Sequence, residues 1–211
     1  MRWLAVLLFL WCGLVSAADR FVSWTILPER PVGLPASPID AHDFAPYIEI
    51  ESPLYRAIIN RETRCCVWIT FRVRAEDVEN DNETDRVWWL PPELRDFCLE
   101  AEDYRGSGYD RGHLRSIQMS RGSGHWQDVN LTAVIVPELP ELNRGAISQL
   151  ESHICDLATS HGWADVTITL TGDAGDMPRA DESHAIPERL LYVVESPAGR
   201  EEVEFSNVEG N

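Results

Sequence analysis

The chain has 211 residues, 44% hydrophobic and 25% charged, the profile of a globular protein rather than a disordered or fibrous one. Its formal charge is −17, and all eighteen basic residues are arginine. A chain this acidic repels polyanions at long range, which argues against a general nucleic-acid coat protein and leaves only a local basic cleft as a place for phosphate.

The first eighteen residues read as a secretory leader. Arg2 is the positive start, Trp3 to Val15 is a thirteen-residue apolar run, and Ser16-Ala17-Ala18 offers small residues for cleavage after Ala17 or Ala18. The run is short for a membrane span, which needs roughly 20 residues. The expectation is a chain exported to the periplasm or the medium, with no membrane partner. Cleavage removes Arg2 and takes the charge one lower than −17. Cys65, Cys66, Cys98 and Cys155 then remain, an even count that predicts two disulfides of undetermined pairing in an oxidising compartment. Zinc is the alternative, but no CxxC spacing is present.

Residues 19–53 carry many prolines and read as an extended N-terminal segment ahead of one domain over 54–211. Leu54 to Ile59 and Cys65 to Val73 form a predicted hairpin, with Val67, Ile69, Phe71 and Val73 on one face. Glu76 to Asp85 holds six carboxylates, the pattern of a solvated acidic loop. Arg86 to Leu90 returns to apolar character, and Pro92 to Ala101 suits a short helix. Asn130 to Val136 reads as a strand, Pro137 to Pro140 as a turn, and Leu142 to Ser160 as a helix. In that helix Ile147, Leu150, Ile154, Leu157 and Ala158 recur at three- and four-residue steps, and Gly162 is its stop. Val166 to Thr171, Leu190 to Glu195 and Glu201 to Phe205 are the last strands, the final two a hairpin. Strands around one long helix make a single α+β domain.

The stretch Asp103 to His113 mixes three glycines, two arginines, two carboxylates and a histidine, a composition that packing does not require. Across Tyr104 to Gln127 four arginines (105, 111, 115 and 121) face one acid, Asp110. Arginine grips phosphate oxygens with paired hydrogen bonds, and histidine is the side chain most easily used as a base near neutral pH. A phosphate-binding patch beside a base points to phosphodiester chemistry.

Asp110-Arg111-Gly112-His113 resembles the DRGH signature of the DNA/RNA non-specific endonucleases, the Serratia-nuclease-like family of the ββα-metal (His-Me finger) group. The likeness continues in order through Leu142-Asn143-Arg144-Gly145, Leu150-Glu151, Leu170-Thr171-Gly172 and His184-Ala185-Ile186-Pro187. The resemblance implies a nuclease core with a central mixed or antiparallel sheet and one long catalytic helix. It implies hydrolysis of DNA and RNA phosphodiesters, gripped by the backbone and so with little sequence selectivity. His113 is then the general base and Asn143 the ligand of Mg²⁺, with Mn²⁺ a permitted substitute. Glu151 orients the metal's waters, and Arg111 and Arg86 contact phosphate. Arg105 and Arg115 join them from the arginine patch, and Arg144 from beside Asn143.

Four positions depart from the family's pattern. Val134 stands where an Asn is usual, Glu138 where a Gln is usual, Cys155 replaces an arginine one turn beyond Glu151, and Tyr192 replaces a late lysine. Val134, Glu138 and Cys155, with the acidic surface, motivate an alternative, a catalytically weakened or inactive nuclease-fold module that binds a protein partner or nucleic acid. Oligomeric state has no signature in the sequence. Asn82-Glu83-Thr84 and Asn130-Leu131-Thr132 match glycosylation acceptors, which matter only in a eukaryotic secretory pathway.

Overall fold

The computed structural model describes residues 12–15, 22–27, 47–78, 86–178, 180 and 184–209. Its strands, in chain order, are β1 (Cys12–Val15), β2 (Val22–Leu27), β3 (Tyr47–Ser52), β4 (Tyr55–Asn60), β5 (Cys65–Arg74), β6 (Asp110–His113), β7 (Ile135–Glu138), β8 (Trp163–Thr171), β9 (Arg189–Ser196) and β10 (Gly199–Ser206). The helices are α1 (Ala75–Val78), α2 (Pro140–Leu142) and α3 (Ser148–His161). Eight strands form one sheet in the order β1-β2-β3-β4-β5-β8-β9-β10, and every neighbouring pair is antiparallel. β6 and β7 pair separately as a two-stranded ribbon. The fold is α+β, and of the two sheet types expected the antiparallel one is found.

One face of the large sheet is the core. In β8 every second residue is buried, from Ala164 through Val166 and Ile168 to Leu170, because successive strand side chains point to opposite faces. α3 lies against this core with Leu150, Ile154, Leu157 and Ala158, the positions its periodicity predicts, and Ile147 joins them from the preceding turn. Each such buried aliphatic side chain larger than alanine contributes about 1.5–3 kcal/mol relative to exposure. α3 ends at Gly162, whose φ of 93° suits a residue without a Cβ and whose N–H donates to Ala158 O at 2.8 Å.

Several sequence expectations are corrected by this arrangement. The segment 19–53 is not merely an extended lead, because β2 and β3 are strands of the main sheet and bury Val22, Trp24, Ile48 and Ile50. β1, inside the expected leader, pairs with β2. Cleavage at the expected site would leave β2 at the edge of the described sheet. In the β4–β5 hairpin the register slips between Ile58 and Ile59, so that Trp68 pairs with Ile58 and Cys66 with Ile59. Val67 is the extra residue of this bulge and leaves the face of Ile69, Phe71 and Val73. Pro92 to Phe97 is a 3₁₀ turn rather than a helix reaching Ala101.

Asn130 to Val136 is not one strand. Trp126–Asn130 and Thr132–Val134 are 3₁₀ turns, and only Ile135–Glu138 is strand. The reason is a cross-chain stitch: Trp89 N–H donates to Asn130 O at 3.3 Å and Thr132 N–H donates to Trp89 O at 3.1 Å. The predicted 142–160 helix is also interrupted, by a π turn at Asn143–Ile147 between α2 and α3. Such wide turns recur at functional sites.

The cysteine expectation fails too. Cys65, Cys66, Cys98 and Cys155 are all free thiols. Cys65 Sγ donates to Cys66 O and Cys66 Sγ to Trp68 O, each at 3.4 Å. Burial pushes all four thiols up, Cys66 and Cys155 to about 12, so none is a thiolate at neutral pH. Among the described residues no helix is long and apolar enough to cross a membrane.

Candidate active site

The two-stranded ribbon and the helix that follows it carry the chemistry. In β6 and β7, Asp110 pairs with Glu138, Gly112 with Val136 and His113 with Ile135. Gly112 is required there, because a Cβ on it would lie 2.1 Å from Glu138 Cδ. β7 runs directly into α2, and Asn207 anchors that junction. Its amide donates to Pro137 O and Pro187 O and its oxygen accepts from Leu139 N–H, all at 2.9 Å. The chain then reaches Asn143 at the first position of the π turn, with Glu151 in the first turn of α3.

A cleft of about 550 Å³ opens between these elements. His113, Asn143, Glu151, Arg86, Arg111 and Arg144 all line it. The predicted base, metal ligand and carboxylate, thirty-eight residues apart at their extremes, thus meet in one place. Two predicted phosphate contacts do not. Arg105 is an exposed side chain ion-paired to Glu102 at 3.0 Å, outside the lining. Arg115 is 1% exposed and structural. It donates to Leu54 O, Arg72 O, Met119 O, Ser120 Oγ and Asp77 Oδ2, which saturates its guanidinium. A basic run in sequence cannot distinguish an arginine that neutralises phosphate from one that ties loops together.

His113 is half-buried, and its Nε2 lies 3.2 Å from Asn130 Oδ1. Asn130 Nδ2 donates to Gln127 Oε1 at 3.0 Å, which turns Oδ1 toward the imidazole. Nε2 therefore carries the proton and Nδ1 keeps the basic lone pair. Trp88 stands against the ring with centroids 5.1 Å apart. Burial, with Arg86 nearby, lowers the histidine to about 4 despite the opposing hydrogen bond that its Nε2–H donates to Asn130. His113 is neutral at physiological pH, as a base must be.

Asn143 donates through Nδ2 to Asp110 Oδ2 at 3.1 Å, leaving Oδ1 as its acceptor atom. Arg144 clamps the same carboxylate with Nε at 2.7 Å and Nη2 at 2.6 Å, which is the main reason Asp110 sits below the usual carboxylate range. Glu151 is raised to about 7 by burial, opposed by a 3.4 Å hydrogen bond from Gln118 Nε2. Arg111 donates from Nε and Nη2 to Ala101 O, with its guanidinium 5.5 Å from the Trp88 ring and 5.6 Å from Tyr104. That leaves Nη1 for a ligand. The set suits a hard divalent cation, since an amide oxygen and a half-buried carboxylate without a strong counter-charge are donors that Mg²⁺ accepts while keeping most of its waters. Among the described residues no group of three or more His, Cys, Asp or Glu side chains is placed to hold a metal.

Three residues of the site escaped sequence reasoning, Trp88, Gln118 and Asn130, of which the first two line the cleft; Arg121, from the predicted arginine patch, lines it as well. Asn130 had a signal, since a polar side chain entering an apolar run needs a buried partner. It is 0% exposed, which rules out glycosylation in the folded protein; Asn82 lies outside the described residues. The departures also read differently. Val134 is core, and Cys155 is a buried thiol. Glu138 is 0% exposed behind Gly112, and among the described residues neither of its oxygens has a hydrogen-bond partner. Burial, followed by the charges of Glu151 and Asp110, drives its carboxyl well above the usual range. That shift favours the uncharged acid, which repels phosphate less than a carboxylate would. Tyr192 is buried close by, its hydroxyl also without a partner among the described residues.

Comparison with known proteins shows the fold and the family. Over 102 residues, 47% of this chain, the sequence is 29% identical to human mitochondrial Endonuclease G and 28% identical to the bovine protein. The match takes in 34% of the length of each relative. A chain of the solved EndoG/EndoGI complex superposes with a TM-score of 0.62 at 22% identity, covering 75% of this chain and 73% of that one. That likeness concerns the fold alone. The family model for DNA/RNA non-specific endonucleases matches residues 39–209, and the chain belongs to that family.

Proposed function

We propose that this protein is an exported, divalent-metal-dependent endonuclease that hydrolyses DNA and RNA phosphodiesters with little sequence selectivity. The observation that carries the reading is the convergence of His113, Asn143 and Glu151 on one arginine-lined cleft. Arg86, Arg111, Arg121 and Arg144 neutralise the phosphates that flank the scissile bond. They read charge and not base identity, so selectivity is low. Nδ1 of His113 takes the proton from a water as its oxygen attacks phosphorus, and Asn130 stabilises the imidazolium that forms. A base of this kind contributes about 10²–10⁴ in rate. Asn143 Oδ1 would hold Mg²⁺, with Mn²⁺ as a substitute, and Glu151 would orient its waters. Bound there, the metal supplies positive charge for the transition state and the departing 3′ oxygen. Export rests on the leader read at residues 1–18.

The test is digestion of plasmid DNA and of RNA with Mg²⁺ or with EDTA. Wild type should cut both only with metal and leave 5′-phosphate ends. His113→Ala and Asn143→Ala should lose activity while keeping the fold by circular dichroism. Full activity in His113→Ala overturns the mechanism.

A further inference from the structure

Trp88 and Trp89 are neighbours in the chain yet pack into different cores. Trp88 packs against the small cluster of Leu99, Tyr104, Ile135 and Met177, and Trp89 against the main core. The dipeptide is held from both sides, and each indole reaches a different part of the surroundings of His113. Residues two apart on a strand project from the same face, so Arg111 and His113 stand side by side on β6. The Trp88 ring lies against both, its centroid 5.1 Å from that of the imidazole and 5.5 Å from the guanidinium carbon of Arg111. Behind Trp88, the Tyr104 hydroxyl donates to Ile135 O at 3.2 Å, and Ile135 is the residue paired with His113 in the ribbon. The backing of the indole is thus tied to the strand opposite the base.

Trp89 bears on the other side of the imidazole. Its indole N–H donates to Gln127 O at 3.2 Å, its backbone N–H donates to Asn130 O, and its carbonyl accepts from Thr132 N–H. Those three bonds hold the turn Trp126–Asn130, from which Asn130 Oδ1 meets Nε2 of His113. One dipeptide therefore sets the plane of the base, the partner of its Nε2–H and the direction of a cleft arginine.

We propose that Trp88 and Trp89 are positioning residues for the hydrolysis: Trp88 fixes the His113 imidazole and the Arg111 guanidinium together, and Trp89 fixes the turn that presents Asn130 to the imidazole. This rests on the nuclease reading above. The test measures kcat and KM on plasmid DNA at fixed Mg²⁺, with fold checked by circular dichroism, and reads the His113 ring by two-bond ¹H–¹⁵N correlation in NMR. Trp88→Leu keeps an apolar side chain against Leu99 and Tyr104 but puts no ring against His113. It should lower kcat by roughly 10–100-fold, the scale of a misplaced reacting group. It should also raise KM, because Arg111 is loosened with the base. Trp88→Phe restores a ring and should recover most of both losses. Trp89→Phe removes the indole N–H and should lower kcat by roughly 2–10-fold, the effect of one hydrogen bond, with KM unchanged. Added to Asn130→Ala it should cost nothing further, because it acts through Asn130. The NMR correlation should show the proton on Nε2 in the wild type and a mixture of tautomers in Trp89→Phe. Wild-type kcat and KM in Trp88→Leu, or a Trp89→Phe loss that multiplies with that of Asn130→Ala, overturns the inference and leaves the nuclease reading intact. Should Trp88→Leu not fold, an unchanged kcat in Trp89→Phe overturns it. If the wild type cuts no nucleic acid the nuclease reading fails, and the NMR correlation decides the bracing: loss of the single tautomer in Trp89→Phe supports it, and an unchanged ring overturns it.

Discussion

Asn143 and Asp110 are joined by a 3.1 Å hydrogen bond across thirty-three residues, from the π turn of the helix to the first residue of β6. The bond consumes the amide's donor and so fixes which atom faces a cation. Asp110→Ala frees that amide to rotate and releases Arg144 as well. Loss of a partner that orients a metal ligand typically costs 10–100-fold in affinity or activity. The Mg²⁺ concentration for half-maximal cleavage should rise by roughly tenfold or more. The melting temperature should hardly move, because Arg144 is 71% exposed and an exposed ion pair contributes little.

Asn130 acts on the base in the same way. Asn130→Ala removes the acceptor that holds Nε2–H, so the productive tautomer is no longer enforced. A fall of about 10–100-fold in kcat is expected, with KM little changed, from the scale of general-base catalysis. Asn130→Asp keeps the acceptor and adds a negative charge, which favours the imidazolium. A base works only when neutral, so the acid limb of the pH–rate profile, set by a histidine now near 4, should move toward neutrality in that variant. An unmoved limb would mean that Asn130 does not bear on the imidazole.

How much of this was legible beforehand depended on whether a residue's role is local. The alternation of β8 and the periodicity of α3 survive because each records burial on one face of one element. His113, Asn143 and Glu151 also come to one cleft, because β6 pairs with β7 and β7 runs into the helical segment that carries the other two. The arginines split instead: Arg111 and Arg121 line the cleft while Arg105 and Arg115 do not. What decides Arg115 is three carbonyls and two side chains spread from Leu54 to Ser120, a tertiary fact with no local spacing. The expected disulfides rested on an even count, which carries no distances.

Glu138 predicts an unusual stability profile. Its folded carboxyl titrates above the ordinary 4.5, so above that pH the unfolded chain binds fewer protons than the native one. Stability should therefore fall as pH rises from about 4.5, the reverse of the usual salt-bridged carboxylate. Glu151, held at about 7, acts with the same sign, so the informative quantity is the difference between wild type and Glu138→Gln. The variant cannot ionise and should be more stable at pH ~8 than wild type by about 1–3 kcal/mol, the scale of an unsatisfied buried group. The gap should close toward pH ~5. Urea unfolding at the two pH values reads this directly, and a gap independent of pH contradicts a neutral Glu138.

Glu151 links metal binding to protons. Without metal its carboxyl is held at about 7, because burial disfavours the anion and Gln118 offsets that only in part. A cation nearby favours the charged form. At pH ~6.5 most molecules therefore carry a proton on Glu151 that Mg²⁺ must displace, and apparent affinity should increase as pH rises through about 7. Calorimetric titration in two buffers of different protonation enthalpy should show release of part of one proton at pH ~6.5 and almost none at pH ~8.5. Glu151→Gln should abolish the release at both. Because His113 is already neutral above about 4, it supplies none of this signal. Undiminished proton release in the Gln variant would move the linked group elsewhere in the cleft, whereas its loss assigns the rise in affinity to the carboxylate one helical segment beyond Asn143.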